Sequence, residues 1–152
     1  MNGGIDSARA ATLLAQAMAT TFGDMAFVDV SPTQGGRREI DSPVRLAIDV
    51  LKPISCRLEI ECPASLKARI EETLFQGSGA DSSQEDSLLE ILNVAAGVFL
   101  TAYFGAGADI KLELPEYLFL TEGSEGEVLA EAAVDAEGEP LVALLRSIRY
   151  RY

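Results

Sequence analysis

Val44-Arg45-Leu46-Ala47-Ile48-Asp49-Val50-Leu51-Lys52-Pro53-Ile54-Ser55-Cys56-Arg57-Leu58-Glu59-Ile60-Glu61-Cys62 reads as two strands joined by a reversal. Val44, Leu46, Ile48 and Val50 alternate onto one face, and Ile54, Cys56, Leu58, Ile60 and Cys62 do the same after the turn. A period of two is the signature of a half-buried strand. Ser55, Arg57, Glu59 and Glu61 point the other way, so one face of this sheet is expected to meet water. Lys52-Pro53 leaves room only for a tight turn, which makes the pair an antiparallel hairpin.

Outward from this hairpin, helices and further strands follow. On the N-terminal side, Asp6 to Thr20 carries Leu13, Leu14, Ala17 and Met18 at helical spacing. Asp6 or Ser7 caps it, and Gly23 is the expected stop. Met25 to Val30 reads as a strand, and Ser31 to Arg38, with Pro32, Gly35 and Gly36, reads as a loop. On the C-terminal side, Pro63 opens a helix over Ala64 to Phe75, with Leu66, Ile70 and Leu74 four residues apart. Gln76 to Ser83 is a loop; it lacks the Gly-Lys-Ser/Thr ending of a phosphate-binding loop. Ser83 or Asp81 would cap a central helix over Gln84 to Phe104, ended by Gly105 and Gly107. Ile110 to Leu114 is a strand closed by Pro115, Tyr117 to Leu120 is a short extended or turn segment, and Val128 to Val134 pairs with Leu141 to Tyr150 across a Glu-Gly turn. The expected fold is α+β: an antiparallel sheet of about six strands with three helices packed on one face. No linker or repeat divides residues 1–152, which read as a single domain.

Composition narrows the function. The 24 acidic and 12 basic residues leave a net charge of −12. Nucleic-acid phosphates would be repelled by that field, so no nucleic-acid partner is expected. There is no histidine, which removes Ser-His-Asp and Cys-His catalysis and His-ligated zinc. Cys56 and Cys62, six residues apart along an extended strand, are too distant for a disulfide and read as small buried apolar residues. Arg146, Arg149 and Arg151 read as the solvated side of an edge strand. The start, Met1 to Asp6, has no basic-then-apolar order, and no apolar run is taken as a membrane span, so the expectation is a cytoplasmic protein without a membrane partner.

The chemistry concentrates in the central helix. Asp86, Glu90, Asn93 and Gly97 fall within roughly 60° of one another at about 100° per residue. Leu88, Leu89, Ile91, Leu92, Val94, Val98, Phe99 and Leu100 surround that stripe, so the helix is expected to be buried on most sides. Asn is a poor helix-interior residue, and Asn93 is one of only two asparagines in the chain. Its carboxamide carries both donors and an acceptor and can hold a water at a fixed angle. In phosphoryl transfer such positioning is a large part of catalysis. The chain has no metal cluster or phosphate cradle of its own, so a reactive phosphate and its Mg²⁺ would belong to a partner.

Asp86-x-x-x-Glu90-x-x-Asn93, followed by Pro115, resembles the motif of the CheC/CheX/FliY family of chemotaxis phosphatases. Leu89-Glu90-Ile91-Leu92-Asn93-Val94-Ala95-Ala96-Gly97 is similar to the family's motif helix, and Phe22-Gly23-Asp24-Met25-Ala26-Phe27 resembles a helix-to-strand passage of the CheX branch. The resemblance implies hydrolysis of the aspartyl phosphate of a CheY-like receiver. Asn93 would position the attacking water, and Glu90 would pair with the receiver's active-site lysine. Asp86, Gly97 and Pro115 would contact the partner or support the site. No cofactor of the chain's own is implied, Mg²⁺ residing on the phosphorylated partner. A single copy of the motif fits the CheX branch, whose members are homodimers that join sheets; the strand over Leu141 to Tyr150 is the expected edge. The alternative is a non-catalytic dimeric module that binds a receiver, or another signalling protein, through the same helix.

Overall fold

A computed structural model describes residues 4–33, 36, 38–75, 87–118 and 126–148. The elements run α1 (Ser7–Ala26), β1 (Val30–Pro32), β2 (Val44–Lys52), β3 (Cys56–Cys62), α2 (Ala64–Phe75), α3 (Ser87–Phe104), β4 (Lys111–Leu112), β5 (Glu116–Leu118), β6 (Val128–Ala136) and β7 (Glu139–Ser147). All the strands form one antiparallel sheet in the order β1-β6-β7-β3-β2. The outer side of β2 is shared by β4 and β5. The expected α+β arrangement is therefore present, with one strand more than the alternation suggested.

The hairpin read from the sequence forms, with Val44 opposite Cys62 and Val50 opposite Cys56, but its reversal lies at 53–55 rather than at Lys52-Pro53: β2 runs on through Lys52 and the second strand starts at Cys56, not Ile54. Its inward residues join one core with Leu141, Ala143 and Leu145 of β7 and with buried residues of all three helices, among them Leu14, Met18 and Phe22 of α1, Leu66 and Ile70 of α2, and Leu88, Ile91 and Phe99 of α3. Each large side chain buried in this way contributes about 1.5–3 kcal/mol.

Three expectations give way. α1 does not stop at Gly23; it runs through the residues read as a strand and ends at Phe27, whose backbone is left-handed at φ 58°. Val28 N–H closes the end on Phe22 O at 3.1 Å, a hydrogen bond spanning six residues. The hydrophobic run Met25–Val30 therefore divides: Ala26 and Val28 are buried, Phe27 stands in solvent, and only Val30 begins the edge strand β1. An edge strand tolerates Pro32, whose missing N–H would break an inner ladder.

Second, β7 is not an edge. It lies between β6 and β3, so Arg146 sits in the sheet interior rather than on a solvated rim. Third, the second face of the sheet is not simply wet: Ala47, Glu59, Val142 and Leu144 are all at or below 2% exposure, although they point away from the helices. Glu59 is fully buried and bonds Arg146 Nε at 3.0 Å, with Arg45 Nη2 at 3.7 Å. Beside it, Arg57 Nε meets Asp49 Oδ1 at 2.7 Å, which raises the Arg57 guanidinium above its ordinary pKa. The alternation had identified which residues face outward, but what covers them depends on more distant parts of the chain.

Cys56 and Cys62 are buried and free, as expected. Burial, the larger cause in each, pushes both thiols up to about 12; Asp49 adds to the shift of Cys56 and Glu139 to that of Cys62. They are poor nucleophiles for that reason.

Candidate functional site

The candidate site is carried by α3, whose position is set at its C-terminal end. The Asp6 N–H donates to the Tyr103 hydroxyl at 2.9 Å, Arg9 Nη2 donates to the Tyr103 carbonyl at 3.2 Å, and the Arg9 guanidinium lies 4.6 Å from the Tyr103 ring centre. Asp6 also caps α1 by accepting from Arg9 N–H at 3.1 Å. The start of α1 and the end of α3 are thus locked by one cluster. Phe99, Tyr103 and Phe104 stack in series beside it, with ring centres 5.9 and 4.8 Å apart. Gly105, at φ 102°, then ends the helix, its N–H bonding Thr101 O at 2.9 Å.

With its axis held, α3 presents one face inward and one outward. Leu88, Ile91, Leu92, Ala95, Ala96, Phe99 and Leu100 are buried. Glu90 is exposed, and Asn93 and Gly97 are half-buried. The expectation of a helix buried on most sides is corrected here: Leu89, Val94 and Val98 are only half-buried, and Thr101 and Ala102 are exposed. Ser87–Phe104 has a mean hydropathy of 1.6 and passes as a membrane span by length and composition alone; Glu90 lies within it and 39% of it is buried inside the fold, as a core helix also would be. The polar stripe therefore lies within a half-apolar surface.

Glu90 and Asn93 are about one helical turn apart, roughly 4.5 Å along the axis. Neither side chain makes a hydrogen bond or ion pair with another described residue. Both are free to engage something outside the chain. Asp86, the first residue of the proposed motif, lies outside the described residues. Pro115 is half-buried between β4 and β5, the two short strands on β2, and α3 packs on that same strand. It interrupts what would otherwise be one longer edge strand, because proline has no N–H to give the ladder.

Gly97 follows Asn93 by one turn. A Cβ built on it would meet nothing within 4 Å, and its φ is not positive. A glycine in a helix interior is destabilising by about 0.5–1 kcal/mol relative to alanine. Sequence reasoning missed the shoulders of this surface, Val94, Val98, Thr101 and Ala102. The apolar residues among them read as core because hydropathy does not distinguish a side chain under a sheet from one beside an open stripe. Among the described residues no group of His, Cys, Asp and Glu could hold a metal ion.

No family model matches the sequence, and no curated protein sequence matches it. Solved structures do. A CheX chemotaxis protein from Desulfovibrio desulfuricans superposes with a TM-score of 0.69 at 11% identity, over 90% of this chain and 97% of its own. CheX from Vibrio vulnificus gives 0.67 at 14% identity, over 91% and 98%. The CheX–CheY–BeF3–Mg²⁺ complex from Borrelia burgdorferi gives 0.64 at 14% identity, over 93% and 97%. CheC-like and FliY structures share the architecture as well. At such identities likeness speaks to backbone architecture, and on that ground the chain is built on the fold of the CheC/CheX/FliY family.

Proposed function

We propose that this protein is a cytoplasmic phosphatase of an aspartyl-phosphorylated, CheY-like receiver. The observation that carries the reading is the pairing of Glu90 and Asn93 on the open face of α3, both without partners among the described residues. Support also comes from the Borrelia burgdorferi structure of this fold, a CheX solved together with CheY. In the proposed reaction the Asn93 carboxamide orients a water in line with the phosphorus. The water oxygen bonds to phosphorus as the bond to the receiver's aspartyl oxygen breaks, releasing inorganic phosphate and the free carboxylate. Glu90 meets the receiver's lysine and sets the docking angle. Pro115 and Asp86 support the site, no cofactor of the chain's own takes part, and Mg²⁺ stays with the receiver.

The net charge of −12 makes docking depend on such local pairing, since an acidic receiver would be repelled over longer distances. Screening over roughly 8 Å at cellular salt weakens that repulsion. A homodimer belongs to the proposal. If it joins sheets, it does so at β1 or along β4 and β5, because β7 is interior.

The test uses receiver domains from the same organism, phosphorylated on aspartate, with and without the protein. Acceleration of phosphate loss is expected, and Asn93→Ala is expected to lower it by about 100-fold or more. Binding of the beryllofluoride-loaded receiver should survive in Asn93→Ala. An unchanged rate in that variant removes Asn93 from the chemistry. Binding by the wild-type protein with no acceleration makes it a binding module on the same helix.

A further inference from the structure

We infer that Gly97 keeps the Asn93 carboxamide uncovered, so that a receiver's phosphorylated loop can close onto it. This rests on the receiver-phosphatase reading and names a residue that would set access to the same site.

A helix-interior glycine calls for a reason, and three intrachain reasons are common. The backbone can be left-handed, as it is at Gly105, Gly126 and Gly138; Gly97 has no positive φ. A neighbouring element can approach too closely for a Cβ, as Ser147 does at Gly126; at Gly97 nothing lies within 4 Å. The glycine can end a helix; Gly97 lies well inside Ser87–Phe104. None of the three applies, so among the described residues nothing requires the side chain to be missing.

Geometry supplies a use. Side chains on an α-helix tilt toward its N-terminus, so each covers the turn before its own Cα. The turn before Gly97 holds Asn93 and, one turn earlier on the same stripe, Glu90. A side chain at 97 that reaches beyond its Cβ would lean over the carboxamide. The half-buried Val94 and Val98 run along one side of the stripe, at about 100° and 140° from Asn93 on the helix, so the approach to the carboxamide is bordered by apolar surface. A phosphoryl group carried on another protein's loop needs that approach, because in-line attack requires the positioned water within about 3–3.5 Å of the phosphorus.

The experiment compares Gly97→Ala and Gly97→Leu with wild type. Both substitutes are good helix formers, so the fold is kept. Thermal unfolding, binding of beryllofluoride-loaded receiver and phosphate loss are all measured. Gly97→Ala is expected to raise the midpoint by about 2–4 °C. Its binding should weaken a few-fold, with the rate at saturating receiver nearly unchanged. Gly97→Leu is expected to unfold no earlier than wild type, yet to lose at least ten-fold in both binding and phosphate loss. Stability and binding moving in opposite directions is a result that a purely structural glycine would not give. Binding and phosphate loss in Gly97→Leu within two-fold of wild type overturn the inference, as does a lowered midpoint in Gly97→Ala. Wild-type binding without phosphate loss overturns the phosphatase reading alone, since the binding comparison still decides the role of Gly97. No wild-type binding to any receiver overturns both.

Discussion

Two carboxylates in apolar surroundings have opposite fates. Glu59, on the far face of the sheet, is fully buried and held by Arg146 and Arg45. Glu90, on α3, is exposed, with no partner among the described residues. Two glycines repeat the contrast. Gly126 has φ 104°, and a Cβ there would collide with the Ser147 carbonyl, while Arg146 Nη1 donates to the Gly126 oxygen at 3.3 Å. A Cβ at Gly97 would meet no described residue within 4 Å. On the sheet, each unusual residue answers to another part of the same chain. On α3, Glu90, Asn93 and Gly97 answer to no other described residue, and the proposed function gives them a use in a partner.

The comparison is broken most directly at Glu59. Glu59→Ala leaves the largely buried Arg146 guanidinium without its carboxylate and Arg45 with Glu61 alone, and is expected to lower stability by about 3 kcal/mol in urea denaturation. Glu90→Ala should change it by no more than about 0.5 kcal/mol. Equal effects would erase the distinction between the two regions. Gly126→Ala comes next, at about 2–4 kcal/mol of destabilisation, from a left-handed backbone and a collision with main chain. A stabilised Gly126→Ala would show that glycines cannot be sorted in this way.

The smallest effect is read from pH. Cys56 and Cys62 belong to the closed region, on β3, and their thiols are pushed up to about 12 from an ordinary 9.0. The neutral form is the one favoured by folding. Stability from this source is complete below pH 9 and is lost as pH rises toward 12, because the unfolded chain ionises first. The expected loss is about 1 kcal/mol per thiol at pH 10. A Cys56→Ala, Cys62→Ala double variant should lack this part of the alkaline decline; an identical decline in both proteins would place the thiols in contact with solvent.

Much of the fold was legible because the patterns that specify it are local. The alternation from Val44 to Cys62 specifies the hairpin, though not the exact place of its turn, and the four-residue spacing of Leu66, Ile70 and Leu74 specifies α2. The α1 boundary was misread because Gly23 is a strong local stop, whereas the helix continues through it to bury Ala26 in the shared core. Leu141 to Tyr150 reads as an edge from the sequence because strand order comes from long-range pairing, which no window of sequence contains.

The sequence by itself determined the antiparallel hairpins, the buried thiols and the grouping of Glu90, Asn93 and Gly97 on one stripe, since periods of two and 3.6 residues follow from backbone geometry alone. Only the tertiary structure decided that Glu59 is buried and Glu90 open, that Arg146 lies inside the sheet, and that no described residue stands in front of Gly97. Those properties belong to what lies across from a residue, and residues across from one another are distant along the chain.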